Sequence, residues 1–229
     1  MIGSSAVSDK KRDIMILQSW FSPAFPIGAF SYSHGLETAI QDGLITDEVS
    51  LQSWISTLLS YGSGRNDGIF IKETYKGEEG TNALCLALCT SKERWQETVE
   101  LGQAFGRVVN LSYKTDLPDM LAYPVAVGLA ARTMELDLTL TLQSYLQAFA
   151  ANLISVGVRA IPIGQQAGQH CLVRLYPVIE EVISQLAEAS LDQVGSAALL
   201  SDLIAIKHEH SVPRIYRTCL LYTSPSPRD

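Results

Sequence analysis

Basic runs are scarce in this chain. No Lys/Arg cluster exceeds Lys10-Lys11-Arg12 in 229 residues, and 17 basic against 24 acidic residues leave a net charge of −7. Binding along a phosphate backbone needs a concentrated positive face, so no nucleic-acid partner is expected. Long apolar runs are missing too. No stretch approaches the roughly 20 residues that span a bilayer, and residues 1–13 are polar without a hydrophobic signal core, so no membrane association is expected and the compartment is expected to be the cytoplasm. Cysteine is sparse: Cys85, Cys89, Cys171 and Cys219 are too few and too scattered for a disulfide scaffold. Cys85 and Cys89 stand at i, i+4 and could clamp a metal from one helical face. Their neighbours Leu84, Leu86, Ala87 and Leu88 make buried, reduced packing the default.

Catalytic patterns are equally thin. There is no Gly-rich sequence ending in Gly-Lys-Ser/Thr, so the chain is not by itself a P-loop GTPase, and no His-Glu-x-x-His pair supports a zinc hydrolase. No enzyme and no cofactor are expected.

Helical periodicity is what the chain has in quantity. Leu51, Trp54, Ile55, Leu58 and Leu59 follow the i, i+3, i+4, i+7, i+8 template behind Thr46-Asp47-Glu48, which predicts a helix over 47–61. Leu142, Tyr145, Leu146, Phe149, Leu153 and Val156 form a second stripe; Leu175, Val178, Ile179, Val182, Ile183 and Leu186 form a third. Less regular helices are expected near 13–20, 32–42, 66–75, 81–89, 91–109, 119–133, 164–176 and 196–209. Strand alternation with hairpin turns is nowhere convincing. The fold class is therefore all-α: a single-domain bundle of about ten helices with Pro/Gly-rich connections. Pro124 and Pro177 fall inside helical patterns and should kink them or mark a restart. Residues 1–12 are expected to be a disordered N-terminal segment and 13–218 the helical domain. The tail 219–229 breaks the pattern and reads as a disordered, non-native reading-frame scar.

Residues 22–37 concentrate conformational specialists. Pro23 and Pro26 fix φ and remove backbone donors, Gly28 permits a positive-φ turn, and Phe25 and Phe30 supply apolar anchors. The stretch reads as a shaped loop entering a helix. A helix beginning near Tyr32 would set His34 and Glu37 on one face of its first turn, either as a general base with its orienter or, by default, as a pair that fixes the loop. Arg159, ahead of Pro162 and Gly164, could cap helix-end carbonyls or reach a carboxylate on another chain; the intramolecular role is the default. His208-Glu209-His210 offers two imidazoles and a carboxylate suited to Ni²⁺, but helical i, i+2 side chains diverge by about 200°. His208 and His210 are therefore weak metal candidates, and no metal site is expected. Tyr216 between Arg214 and Arg217 has the composition of an interface hot spot.

Three blocks resemble the UreF family of urease accessory proteins. The first is Pro26-Ile27-Gly28 followed by Tyr32-Ser33-His34-Gly35-Leu36-Glu37. The second is Asn152-Leu153-Ile154-Ser155 with Val158-Arg159-Ala160-Ile161-Pro162-Ile163-Gly164-Gln165. The third is Ser201-Asp202, His208-Glu209 and Pro213-Arg214-Ile215-Tyr216-Arg217. Together they span about residues 14–217. The resemblance implies an all-helical, usually dimeric chaperone that works with the GTPase UreG and the scaffold UreD (UreH) to deliver nickel to apo-urease. It implies that 201–217 helps bind UreD and that Arg159 is the candidate arginine finger toward UreG. The expected partner-binding residues are Tyr32, His34, Glu37, Arg159, Gln165, Ser201, Asp202, His208, Glu209, Arg214, Tyr216 and Arg217. The alternatives are a stand-alone nickel-binding carrier and a small all-α enzyme using His34 and Glu37.

Overall fold

The computed structural model describes residues 3–28 and 32–208, with side chains over 9–28 and 32–207. The described residues form ten α-helices and one 3₁₀ turn, with no strand. They are α1 (Gly3–Trp20), α2 (Leu36–Gln41), α3 (Glu48–Tyr61), α4 (Ser63–Lys76), α5 (Thr81–Ala87), α6 (Lys92–Tyr113), α7 (Tyr123–Thr133), α8 (Leu138–Ala160), α9 (Gly164–Glu188), the 3₁₀ turn Leu191–Gln193, and α10 (Leu199–His208). The all-α expectation holds.

Local chemistry explains most of the boundaries. Asp47 caps α3 by accepting from the Ser50 amide at 2.8 Å while the Ser50 hydroxyl accepts from the Asp47 amide at 3.1 Å, a reciprocal capping box. The expected helix over 47–61 thus starts one residue later. Pro124 occupies the first turn of α7, where its missing N–H costs nothing, so it marks a restart rather than a kink. Pro177 lies within α9, which continues unbroken to Glu188. Pro177 and the Val173 whose carbonyl it frees are both on the solvent side, where water can satisfy that group. Helix α1 starts at Gly3, ahead of the expected boundary at 13. Between Ser4 and Trp20 there is no glycine or proline to stop it.

All three periodic stripes face inward. Leu51, Ile55, Leu58 and Leu59 of α3, the six named residues of α8, and Leu175, Ile179, Val182 and Leu186 of α9 are buried in one cluster. Val178 and Ile183 pack at its edge. The centre of the bundle, however, is α4, whose sequence is largely polar. It packs against α3, α5, α7, α8 and α9, and its residues 67–74 are buried without interruption. Asp67, Lys72 and Glu73 are paired there, while the Thr74 hydroxyl has no hydrogen-bond partner among the described residues. Lys72 Nζ donates to the Ala189 carbonyl beyond the end of α9 and meets Glu73 Oε1 at 2.8 Å. A cation there satisfies a carbonyl and opposes the partial negative charge of the helix end. Close approach of α7 to α4 depends on Gly128: a Cβ there would lie 2.5 Å from the Ile71 carbonyl oxygen.

Candidate functional site

The loop that enters α2 reaches into the bundle through His34. Helix α2 begins at Leu36, because His34 and Gly35 both take left-handed backbone, with φ of 50° and 76°. The expected helix start near Tyr32 is therefore corrected. His34 precedes the helix, and the carboxylate beside its imidazole is Glu97 of α6 rather than Glu37. Gly35 also allows a close approach, since a Cβ on it would lie 3.0 Å from the Ala205 amide nitrogen of α10. Glu37 is buried in the first turn of α2 and accepts from Gln41 at 3.5 Å.

Helix α6 supplies the facing groups. Arg94 Nη1 lies 2.9 Å from His34 Nδ1 and donates to Glu97 Oε2 at 2.7 Å, while His34 Nε2 lies 3.1 Å from Glu97 Oε1. A guanidinium has no acceptor and a carboxylate no donor. Nε2–H therefore donates to Glu97, while Arg94 Nη1, which is also 3.5 Å from Nε2, lies over the imidazole ring. One turn on, Glu100 accepts from the Tyr32 hydroxyl at 2.8 Å and from Gln96 at 2.8 Å. The loop is thus bolted to α6 at two levels. On the far side, the His34 ring meets Phe149 of α8 edge-on at 5.0 Å.

Asp67 of α4 completes the cluster, accepting from the Tyr145 hydroxyl of α8 at 2.8 Å. Burial pushes its carboxyl above the ordinary value, against the opposing pull of Arg94 and the Tyr145 bond. Burial acts the same way on Glu97, but there Arg94 and then His34 outweigh it and hold the carboxyl at about 2. For Arg94, burial works against the charge, and Glu97 and Asp67 more than compensate, raising it above the ordinary guanidinium value. Tyr123 and Tyr145 are pushed up by burial and then by Asp67. His34, Asp67, Arg94, Glu97, Tyr123, Tyr145 and their apolar neighbours line a cavity of about 50 Å³, enough for a few water molecules. A second cavity of about 70 Å³ lies between Asp67 and Arg94 on one side and Ser201 and Asp202 on the other.

Sequence-predicted residues divide into three groups. Tyr32, His34, Ser201 and Asp202 converge around this centre, with Ser201 buried and Asp202 half-buried. Arg159, in the last turn of α8, and Gln165, in the first turn of α9, are both exposed and line neither cavity. His208 ends α10. Its side chain lies outside the described residues, as do Glu209, His210, Arg214, Tyr216, Arg217 and the tail 219–229. Among the described residues no group of three His, Cys, Asp or Glu side chains is placed to hold a metal ion. Cys85 and Cys171 are buried free thiols, and burial raises both, Cys171 to about 11.

Asp67, Arg94, Glu97 and Tyr145 were not singled out from sequence as site residues. Arg94 ends a run, Lys92-Glu93-Arg94, that reads as an ordinary solvated helix start, Glu97 follows three residues on, and Asp67 follows Asn66 in an unremarkable polar stretch. The available signal was the i, i+3 spacing of Arg94 and Glu97 on the side of α6 that carries Leu101 and Phe105.

The sequence profile of the UreF family matches residues 45–176. The urease accessory protein UreF of Cereibacter sphaeroides strain KD131 is 45% identical over 207 residues, covering 90% of this chain and 98% of its own length. That of Roseobacter denitrificans is 42% identical over 208 residues, with 89% and 93% covered, and that of Rhodopseudomonas palustris strain HaA2 is 38% identical over 218 residues, with 88% and 92% covered. No helix among the described residues is long and apolar enough to cross a membrane. Identity of this level along nearly the whole chain, on an all-helical bundle, establishes that the chain belongs to the UreF family of urease accessory proteins.

Proposed function

We propose that this chain is a non-catalytic adaptor, which assembles with UreD (UreH) and the GTPase UreG to deliver nickel to apo-urease and to regulate that GTPase. The observation that carries the reading is the outer face of α10. Leu199 and Leu203 are 68% and 64% exposed, and Leu200 and Ile206 are exposed beside them. An apolar stripe turned to solvent on a helix that packs mainly on α2 has the character of a surface covered by another chain. UreD is the proposed occupant, in line with the expectation for 201–217.

The exposed α8–α9 turn, with Arg159 and Gln165, is the proposed UreG contact. A guanidinium exposed in the last turn of α8 is suited to a carboxylate or phosphate. The assembly is proposed to be cytoplasmic and built on a homodimer. Nickel is its cargo rather than a resident ion. The imidazole of His34 is engaged by Arg94 and Glu97, which favours a structural role over the enzyme alternative.

Co-purification from cells carrying the urease genes tests the reading. The Leu199→Asp/Leu203→Asp double variant should lose UreD capture with an unchanged melting temperature, because neither side chain is buried. Deletion of 219–229 should leave capture intact. Full capture by the double variant would remove α10 as the docking face.

A further inference from the structure

We propose that Arg65 marks a pocket that takes an acidic side chain of the chain covering α10, so that the docking face extends past the apolar stripe of α10 to a charged anchor. The inference rests on the reading of α10 as the UreD face and adds a second, chemically different part to it.

The segment 189–198, between α9 and α10, runs along α4 to the corner where α3 meets α4. Four hydrogen bonds hold it there. Lys72 Nζ donates to the Ala189 carbonyl, Arg65 Nη1 to the Gln193 carbonyl at 2.9 Å, the Gly195 amide to Asn66 Oδ1 at 3.2 Å, and the Ala197 amide to the Tyr61 carbonyl at 2.9 Å. Tyr61, Arg65, Gln185, Gln193, Gly195 and Ala197 line an open pocket of about 420 Å³ at this corner. Its rim is pinned before any partner arrives, which lowers the ordering cost of docking.

Charge selects the occupant. In a chain of net charge −7, Arg65 is the one cation lining this pocket, and no carboxylate lines it. The half-buried guanidinium has five N–H donors, yet its bond is to the neutral Gln193 carbonyl, and among the described residues no carboxylate pairs with it. Lys72 and Arg94, by contrast, each meet a carboxylate, at 2.8 and 2.7 Å. No acidic side chain shares the first turn of α4 with Arg65. Two acids on the flanking segments are engaged locally, Asp192 by the Ser190 hydroxyl and Glu181 by Gln185. A guanidinium with donors to spare at an open pocket matches a carboxylate through two parallel bonds.

Position joins the pocket to α10. Ala197 lies two residues before Leu199, where α10 begins, and Ala198 abuts the α3–α4 corner, since a Cβ on Gly62 would lie 3.1 Å from its side chain. Tyr61 is 62% exposed at that corner, and Leu199 and Leu200 are exposed just beyond it. Stripe and pocket therefore form one continuous surface, with the tyrosine-plus-arginine composition of an interface hot spot at one end.

UreD capture by the full chain at low and high salt tests the pocket. Arg65→Gln removes the charge but keeps an amide that can donate to the Gln193 carbonyl. It should melt with the wild type, weaken capture by about tenfold at low salt and lose most of the salt dependence. Wild-type affinity and salt dependence in Arg65→Gln overturn the pocket. If Leu199→Asp/Leu203→Asp loses capture in that same assay, the α10 face stands without it; if both variants bind like the wild type, the two readings fall together. Weakened capture with a lowered melting temperature and an intact salt dependence marks a structural role and also overturns the pocket. Arg65→Lys keeps the charge and gives an independent test. A carbodiimide activates a carboxylate, the new amine displaces the activated group to form an amide, and the reagent leaves as its urea. Mass spectrometry should find position 65 joined to an Asp or Glu of UreD. Linkage only to acids of this chain, or no linkage, overturns the proposal.

Discussion

Tyr145 donates its hydroxyl to Asp67 at 2.8 Å between α8 and α4, where both residues are buried. Because burial raises the Asp67 carboxyl above its ordinary value of 3.8, its contribution to stability is present below that value and is lost as pH rises through the folded-state value. Asp67→Asn removes this loss, so the variant should gain relative to wild type in urea unfolding between about pH 4 and pH 7. Tyr145→Phe leaves the carboxylate short of a donor and should cost about 1–3 kcal/mol, read in the same titration.

Glu97 carries the opposite sign. Held at about 2 against an ordinary 4.5, it contributes stability that is complete above 4.5 and disappears as pH falls through 2. Glu97→Ala strands the Arg94 guanidinium among Asp67, Tyr145 and apolar rings, and should destabilise by about 3–5 kcal/mol at neutral pH, as removal of one partner of a buried pair does. Acid unfolding monitored by circular dichroism should lose its steep limb below about pH 4.5 in that variant.

Gly128→Ala probes the close contact between α7 and α4. The added methyl meets the Ile71 backbone, which has no rotamer to escape into, so α7 must shift from α4 and stability should fall by about 1–3 kcal/mol. Differential scanning calorimetry would show this as a lower transition. Retained stability would mean that the two helices can separate without loss.

Leu58→Ala should cost about 2–5 kcal/mol in chemical denaturation. Leu58 is buried in α3, on a stripe that periodicity alone identified.

The contrast between α3 and α4 shows where sequence reading succeeds. In α3, α8 and α9 the apolar stripe is the signal and burial follows it, because those helices cover the core from one side. Helix α4 is surrounded, so its burial has no stripe to betray it. Its Asp67, Lys72 and Glu73 look solvent-facing until Tyr145 and the Ala189 carbonyl, 78 and 117 residues away, supply partners. The motif at residues 32–37 was legible as a special loop, but its partner was not. The choice between Glu37 and Glu97 depended on two consecutive left-handed residues that delay the helix to Leu36. A free choice of φ at Gly35 can be anticipated from sequence; the same conformation at His34 is imposed by tertiary contacts.

Arg159 offers the last test, and its position changes the expected outcome. Sequence reading favoured a packing role, yet the side chain is exposed in the final turn of α8. Surface substitutions of this kind move stability by about 0.5 kcal/mol or less, so Arg159→Ala should melt with the wild type. Under the proposed UreG contact it should nevertheless lower urease activation in cells carrying the urease genes, and weaken UreG capture at low ionic strength more than at high, since the lost interaction is electrostatic. Arg159→Lys separates charge from geometry: a retained charge restores long-range attraction but not a two-pronged hydrogen bond. Normal activation by Arg159→Ala would take the α8–α9 turn off the UreG surface, whereas a lowered melting temperature with normal UreG capture would return the residue to the packing role.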